Sequence, residues 1–187
     1  MQRELVERAQ AGDHEAFSIL VRSSFGRAYG VAKLILRDED RAQDAVQEAL
    51  VQAWRHVRAL REPDAWDAWL HRLVVRACYR FARQSRRRSL VELQATPDAA
   101  STEVGDFSLS VAERDRIGRL LGRLPIEQRA VMVMHFYLDL PLPEAAEILD
   151  IPVGTAKSRL HRGLEALRAQ MSAESGVDPA RVGEARS

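Results

Sequence analysis

The residues of this chain best suited to binding chemistry lie in the segment IPVGTAKSRLHRGLEALR, from residue 151 to residue 168. Its apolar residues recur at helical spacing, which predicts a helix with one buried face. The other face is basic, since five basic residues stand against one acid. These are Lys157, Arg159, His161, Arg162 and Arg168 against Glu165. The small first turn, Val153-Gly154-Thr155, leaves backbone N–H groups free to bind a phosphate.

A second short helix, predicted from about Pro143 to Leu149, precedes this basic helix. The tight turn from Asp150 to Pro152 joins the two, which is the layout of a helix-turn-helix. A solvated basic face on a terminal helix is the simpler alternative, but the preceding helix and turn favour DNA. The side chains placed to enter a major groove, which we call the DNA-reading set, are Thr155, Lys157, Ser158, Arg159 and Arg162.

Another basic helix is predicted far upstream. Residues 68–91 contain no Asp or Glu but seven arginines. Four of these arginines step by four, four and three residues along one side of the helix, with a tyrosine beside them. This basic stripe consists of Arg72, Arg76, Tyr79, Arg80 and Arg83. Arginine interleaved with an aromatic residue suits backbone phosphates and base stacking, as in single-strand binding. A solubilising face with snorkelling arginines is the alternative.

The helix predicted just before this upstream basic helix has the opposite charge. Asp40, Asp44 and Glu48 recur at every fourth residue, with Gln43 and Gln47 alongside. We call the three carboxylates the acidic edge. No His or further acid lies at metal-ligand spacing, and no second group suggests acid–base catalysis, so we predict no metal, no cofactor and no catalytic residue. Plain solvation remains possible, but like charges at this spacing cost about 0.2–0.5 kcal/mol each, which favours a partner protein.

Composition limits the classes of protein that fit. The net charge is only +1, so the local charge asymmetry is the more informative quantity. A single cysteine, Cys78, excludes a disulfide framework and a cysteine-rich zinc site. The polar N-terminus is unlike a signal peptide, and no apolar run reaches the ~20 residues of a membrane span. We therefore expect a cytoplasmic protein without membrane insertion.

Helical periodicity recurs throughout and no strand-like alternation stands out, which predicts an all-α fold. Gly12 and Asp13 predict a helix stop followed by an N-cap. The predicted organisation is a helical bundle over residues 1–88, an extended acidic linker over 89–112, a helix-turn-helix domain over 113–170 and a tail over 171–187. The linker contains no Lys or Arg, and we expect it to fold back on a basic face. The residues predicted to face inward in the first helix of the second domain are Ile117, Leu120, Leu121 and Leu124.

Four ordered motifs together resemble the extracytoplasmic-function (ECF) sigma factors of bacterial RNA polymerase. They are DRAQDAVQEALVQAW from residue 40, AWLHRLVVRACYRFARQSRR from residue 68, LPIEQRAVMVMHFY from residue 124 and PVGTAKSRLHRGLEALR from residue 152. The resemblance extends from about residue 11 to residue 168. It implies sigma region 2 in the first domain and sigma region 4 in the second.

The resemblance also implies roles for the three sets of residues. It implies that Asp40, Asp44, Gln47 and Glu48 bind core RNA polymerase. It assigns the basic stripe to the −10 element of promoter DNA and the DNA-reading set to the −35 element. An anti-sigma factor or other regulatory partner is implied as well. Arg76 and Arg80 stand where the family commonly carries Asn and Asp.

Two other classes of function remain open at the level of the sequence. A stand-alone helix-turn-helix regulator would leave the basic stripe and the acidic edge unexplained. A helical interaction adaptor would have no salt-dependent affinity for DNA. An enzyme fits least, because no nucleophile–base pair is visible.

Overall fold

The computed structural model describes the backbone of residues 1–91 and 111–174, and the side chains of residues 1–84 and 116–174. The described elements are helical, and no strand occurs among them, which confirms the predicted all-α class. The chain divides into an N-terminal unit, Met1–Phe107, and a C-terminal unit, Ser108–Ser187. Within the described residues, no helix is long and apolar enough to cross a membrane.

The N-terminal unit is a bundle of four helices. They are α1 (Gln2–Gln10), α2 (His14–Leu36), α3 (Glu39–His56) and α4 (Trp66–Val91), with short 3-10 turns at Val57–Ala59 and Pro63–Ala65. The predicted N-cap is confirmed, because Asp13 accepts hydrogen bonds from the backbone N–H groups of Glu15 and Ala16. Helix α4 packs against both α2 and α3, and α1 packs against α2. Residues completely shielded from solvent in this bundle include Leu20, Val31, Ile35, Val46, Trp66, Leu70 and Val74.

The C-terminal unit is built around the last helix. Its elements are α5 (Val111–Gly122), α6 (Ile126–Met132), a π-helical turn (Val133–Tyr137), α7 (Leu142–Ile148) and α8 (Val153–Glu174). Helix α8 packs against α6 and α7 and, less extensively, against α5. Pro125 immediately precedes α6 as its N-cap residue, where its missing N–H costs little. The apolar residues of α6 and α7 form the hydrophobic core that supports α8.

Some predicted features differ from the structure. Ile117 was predicted to face inward, but it is 43% exposed, whereas Leu120 and Leu121 nearer the end of α5 are buried. Helix α8 continues past residue 170 to Glu174, whose carboxylate pairs with Arg116 at 3.1 Å and so ties α8 to α5. The fold-back predicted for the linker falls on residues 92–110, and most of the predicted tail falls on residues 175–187. Both segments lie outside the described residues.

Candidate nucleic-acid and polymerase interfaces

A sharp turn sets the start of the basic helix α8. Asp150 adopts a left-handed conformation with φ 53°, which aspartate tolerates better than most residues. The carbonyl of Pro152 then accepts hydrogen bonds from the backbone N–H groups of Thr155, at 2.9 Å, and Ala156, at 3.1 Å. Because α7 ends at Ile148 and α8 begins at Val153, the two helices form the predicted helix-turn-helix connection.

Close packing fixes the inner face of α8 on α6. Ala156 is fully buried. Gly163 lies so near α6 that an added Cβ would come within 2.6 Å of the sulfur of Met132. Side chains at helical steps from these two positions face inward, and those on the opposite side face solvent. The short connection and the close contact at Gly163 therefore fix the orientation of the outer face of α8 relative to α6.

The DNA-reading set divides between exposed and half-buried side chains. Lys157, Ser158 and Arg162 are exposed, whereas Thr155 and Arg159 are half-buried. The hydroxyl of Ser158 donates to the carbonyl of Thr155 at 3.0 Å, so its lone pairs remain available as acceptors for a base edge. The most accessible cations of the set are thus those of Lys157 and Arg162.

One exposed residue of α8 was absent from the predicted set. His161 is exposed between Lys157 and Arg162 in the helical register, and its Nε2 lies 3.2 Å from a carboxylate oxygen of Glu165. Helical periodicity already places it on the basic face, four residues after Lys157 and three after Ser158, although the DNA-reading set omitted it. His161 therefore lies among the groups that a nucleic acid docked on this face would meet.

Helix α4 has a buried side that anchors its basic side. The indole N–H of Trp66 donates to the hydroxyl of Ser24 at 3.0 Å, and that hydroxyl donates to Asp67 at 3.0 Å. Cys78 is buried, and burial raises the pKa of its thiol to about 12. It is therefore a hydrophobic packing group and not a reactive thiol.

The basic stripe of α4 is only partly open to solvent. Arg76, Arg80 and Arg83 are exposed, whereas Arg72 and Tyr79 are half-buried. The half-buried ring of Tyr79 offers only part of its surface for stacking on a base. The predicted stripe is present, and its exposed cations lie along one side of α4.

The acidic edge of α3 is exposed where α3 passes α4. Asp40, Asp44 and Gln47 are exposed, and Glu48 is half-buried. Their helical spacing places them on one edge, as predicted. Glu48, however, forms an ion pair with Arg80 of the basic stripe. No sequence-local signal predicts this contact, because the two residues are far apart along the chain and meet only through the packing of α3 on α4.

An apolar groove lies beside the acidic edge, between α2 and α3. Its volume is about 540 Å³, and its lining residues are Phe17, Ser18, Val21, Arg22, Leu50, Val51 and Trp54. Val51 is 48% exposed. Trp54 is half-buried and lies against His14, with ring centroids 4.5 Å apart. Val51 follows Gln47 and Glu48 at helical spacing, which would have identified this apolar extension of the same face.

Comparisons with known proteins now bear on these surfaces. A family model of Sigma-70 region 2 matches residues 20–88, and one of Sigma-70 region 4 matches residues 114–167. The ECF RNA polymerase sigma factor SigM of Mycobacterium tuberculosis is 33% identical over 159 residues, covering 85% of this chain and 79% of the relative. The ECF RNA polymerase sigma-E factor of Escherichia coli is 32% identical over 176 residues, covering 87% of this chain and 90% of the relative. This chain belongs to the ECF sigma factors.

Solved structures agree with this assignment. CnrH, solved in complex with the cytosolic domain of CnrY, superposes with a TM-score of 0.59 at 26% identity and covers 92% of this chain and 97% of its own. The sigma factor RpoE of Bartonella quintana shares the fold, with a TM-score of 0.64 at 20% identity and coverage of 83% and 96%.

Membership of the family answers the main questions left open by the sequence. As an ECF sigma factor, the protein is a promoter-recognition subunit of RNA polymerase that binds the core enzyme and promoter DNA, and it is not an enzyme. The alternatives of a stand-alone regulator and of an adaptor without DNA binding are therefore set aside. Within the described residues, no cluster of His, Cys, Asp and Glu could hold a metal ion.

Proposed function

We propose that this sigma factor divides promoter recognition between α8 and α4. In this proposal, the DNA-reading set on α8 contacts the −35 element of duplex DNA. The basic stripe on α4 acts on the −10 element once the strands separate. The observation that carries the proposal is the shape of the turn before α8, which leaves Lys157 and Arg162 exposed on a helix whose other side is fixed against α6. Lysine and arginine on such a helix suit guanine edges in the major groove.

The polymerase-binding surface in this proposal combines the acidic edge, Gln47 and the neighbouring apolar groove. Exposed carboxylates attract a basic partner, and the apolar groove supplies surface whose burial stabilises the complex. The half-exposed Val51 lies where the two features meet. This extends the polymerase contact beyond the four residues predicted from the sequence.

The two DNA contacts gain from being tethered to one polymerase. Each basic helix alone presents few cations and binds DNA weakly. Once one helix is bound, the other experiences a raised effective concentration of its own element. The predicted domain boundaries, with a linker between two independently binding domains, belong to this proposal. So does a cytoplasmic location, which transcription requires.

A regulatory protein partner also belongs to the proposal. CnrH was solved in complex with the cytosolic domain of CnrY, and it covers nearly the whole of this chain. We infer that this sigma factor has an inhibitory partner of the anti-sigma class. Such a partner must lower the amount of core polymerase that co-purifies with the sigma factor, and a binding protein that leaves this amount unchanged would not be one.

Permanganate footprinting of promoter DNA tests the division of labour between the helices. Replacing Arg76, Tyr79 and Arg80 by alanine should spare closed-complex formation and reduce the reactivity of thymines near the start site, because stacking on a displaced base is available only after melting. Replacing Lys157 and Arg162 should instead weaken the closed complex. Normal thymine reactivity with all three α4 residues changed would remove α4 from the opening step.

A further inference from the structure

One ion pair joins two surfaces that the proposed function assigns to different partners. The Nη2 atom of Arg80 donates to Oε1 of Glu48. Arg80 belongs to the basic stripe of α4, and Glu48 belongs to the acidic edge of α3. The side chain of Arg80 is 52% exposed and that of Glu48 is 37% exposed, so a DNA phosphate can reach the first and a basic group of the polymerase can reach the second.

We propose that this ion pair is an autoinhibitory contact, in which Glu48 occupies Arg80 until core RNA polymerase occupies Glu48. The inference rests on the proposed function, because that function assigns Glu48 to the polymerase and Arg80 to DNA. A guanidinium that already donates to a carboxylate presents less positive potential to a phosphate, so the phosphate has to displace the carboxylate. A basic polymerase group that competes for Glu48 releases Arg80.

The coupling acts in both directions. If the polymerase at Glu48 strengthens the binding of DNA at Arg80, then DNA at Arg80 strengthens the binding of polymerase at Glu48 by the same factor. Opened promoter DNA therefore helps to retain the sigma factor on the polymerase. Ion pairs between partly exposed side chains are weak, so the coupling should be about a two- to fivefold change in affinity.

Neighbouring residues provide matched controls for this contact. Asp44 lies on the same edge of α3, is exposed and forms no ion pair with any residue whose side chain the structure describes. Asp44→Asn and Glu48→Gln each remove one negative charge from the same helix, but only Glu48→Gln breaks the contact with Arg80. The difference between the two variants separates the ion pair from the general effect of charge.

The experiment measures the binding of the full-length free protein to a fluorescent single-stranded oligothymidine of about 20 nucleotides, since such binding tolerates any sequence. Glu48→Gln should tighten binding two- to fivefold more than Asp44→Asn does. Arg80→Gln should weaken binding. The variant carrying both Glu48→Gln and Arg80→Gln should bind like a variant carrying Asp44→Asn and Arg80→Gln, because without Arg80 only the general effect of the removed negative charge remains.

The outcomes separate this inference from the function on which it rests. Equal effects of Glu48→Gln and Asp44→Asn overturn the autoinhibitory contact. If Arg80→Gln at the same time weakens DNA binding by the polymerase holoenzyme, the proposed DNA contact of Arg80 stands. If Arg80→Gln changes neither the free protein nor the holoenzyme, the proposed function of Arg80 fails. Circular dichroism of each variant confirms that the helices are retained.

Discussion

The two basic helices of this sigma factor differ in what lies on their opposite faces. Helix α4 contributes the fully buried Trp66, Leu70 and Val74 to the core of the N-terminal unit. Helix α8 buries the small residues Ala156 and Gly163, and most of its other side chains are exposed or half-buried. The basic stripe therefore lies on a helix that also contributes large side chains to the core of its bundle. The DNA-reading set lies on a helix that is held mainly along one side. We therefore expect changes on the buried side of α4 to lower stability, and changes on the exposed faces of either helix to alter binding with little effect on folding.

The two helices also differ in whether their exposed cations are paired with carboxylates. Arg80 of α4 is paired with Glu48, which belongs to the proposed polymerase surface. Lys157 and Arg162 of α8 form no ion pair with any side chain that the structure describes. In the proposal, the contact of Arg80 with DNA is thus coupled to polymerase binding through this ion pair, whereas Lys157 and Arg162 have no such pair among the described side chains.

The largest expected effect comes from reversing charge on the acidic edge. Asp44→Arg combined with Glu48→Arg should abolish co-purification with core polymerase, because two carboxylates of the proposed contact, one exposed and one half-buried, become repulsive cations. Both positions lie on the surface of α3, so the fold should be retained. Affinity capture of core polymerase on the immobilised sigma factor measures the effect.

Glu4→Arg combined with Glu62→Arg is the matched control for this loss. It changes the net charge equally at exposed acidic residues outside α3 and should keep polymerase binding. Undiminished binding by a folded Asp44→Arg, Glu48→Arg variant would contradict the assignment of the acidic edge.

The next largest expected effect concerns the pH dependence of folding stability, and it compares the buried His71 of α4 with the exposed His161 of α8. Burial, reinforced by the charge of Arg27, lowers the pKa of His71 to about 4, below its ordinary value of 6.5. As the pH falls from 6.5 to 4, the imidazole of His71 is protonated in the unfolded chain but remains neutral in the folded chain. The free energy of unfolding should therefore fall over this interval, by up to about 3 kcal/mol, and the contribution of His71 should be constant above pH 6.5.

Urea unfolding measured across this pH range tests the difference. His71→Gln should flatten the decline in stability between pH 6.5 and pH 4, whereas His161→Gln should preserve its shape. A decline as steep in His71→Gln as in the unaltered protein would show that other groups cause the loss.

The sequence predicted those features well that depend on the pattern of residues along a single helix or turn. Helical periodicity predicted one buried face for the last helix, and Ala156 on that face is fully buried. The turn at Asp150 followed from local conformational preference. These features depend on residues within a few positions of each other, so the sequence contains the information needed to predict them.

The features that escaped prediction depend on contacts between distant segments. The pairing of Glu48 with Arg80 requires the packing of α3 on α4. Ile117 has suitable spacing for a buried position, but its burial depends on which residues of α5 the distant helix α8 covers, and it is 43% exposed. The π-helical turn, closed by the hydrogen bond from the N–H of Leu138 to the carbonyl of Val133, has no compositional signal.

The smallest expected effect comes from removing single exposed cations of α8. Lys157→Ala or Arg162→Ala should relax the preference for one base pair of the −35 element and cost about 1–3 kcal/mol of discrimination. Thermal stability should stay within about 0.5 kcal/mol, because both side chains are exposed. Competition binding by the holoenzyme with single-base variants of the promoter measures the preference.

Arg168→Ala is the matched control on the same helix. It removes one exposed cation farther from the turn and should weaken all promoter sequences equally. Base preferences unchanged by both Lys157→Ala and Arg162→Ala would exclude these two side chains from sequence readout.

Transcription by purified core polymerase on a library of promoter fragments tests the central claim most directly. With the sigma factor present, we predict run-off transcripts from a subset of fragments that share two upstream elements at a fixed spacing. Without it, these transcripts should be absent. Transcripts that are the same with and without the sigma factor, or that share only one element, would contradict an account in which two basic helices recognise two separate promoter elements.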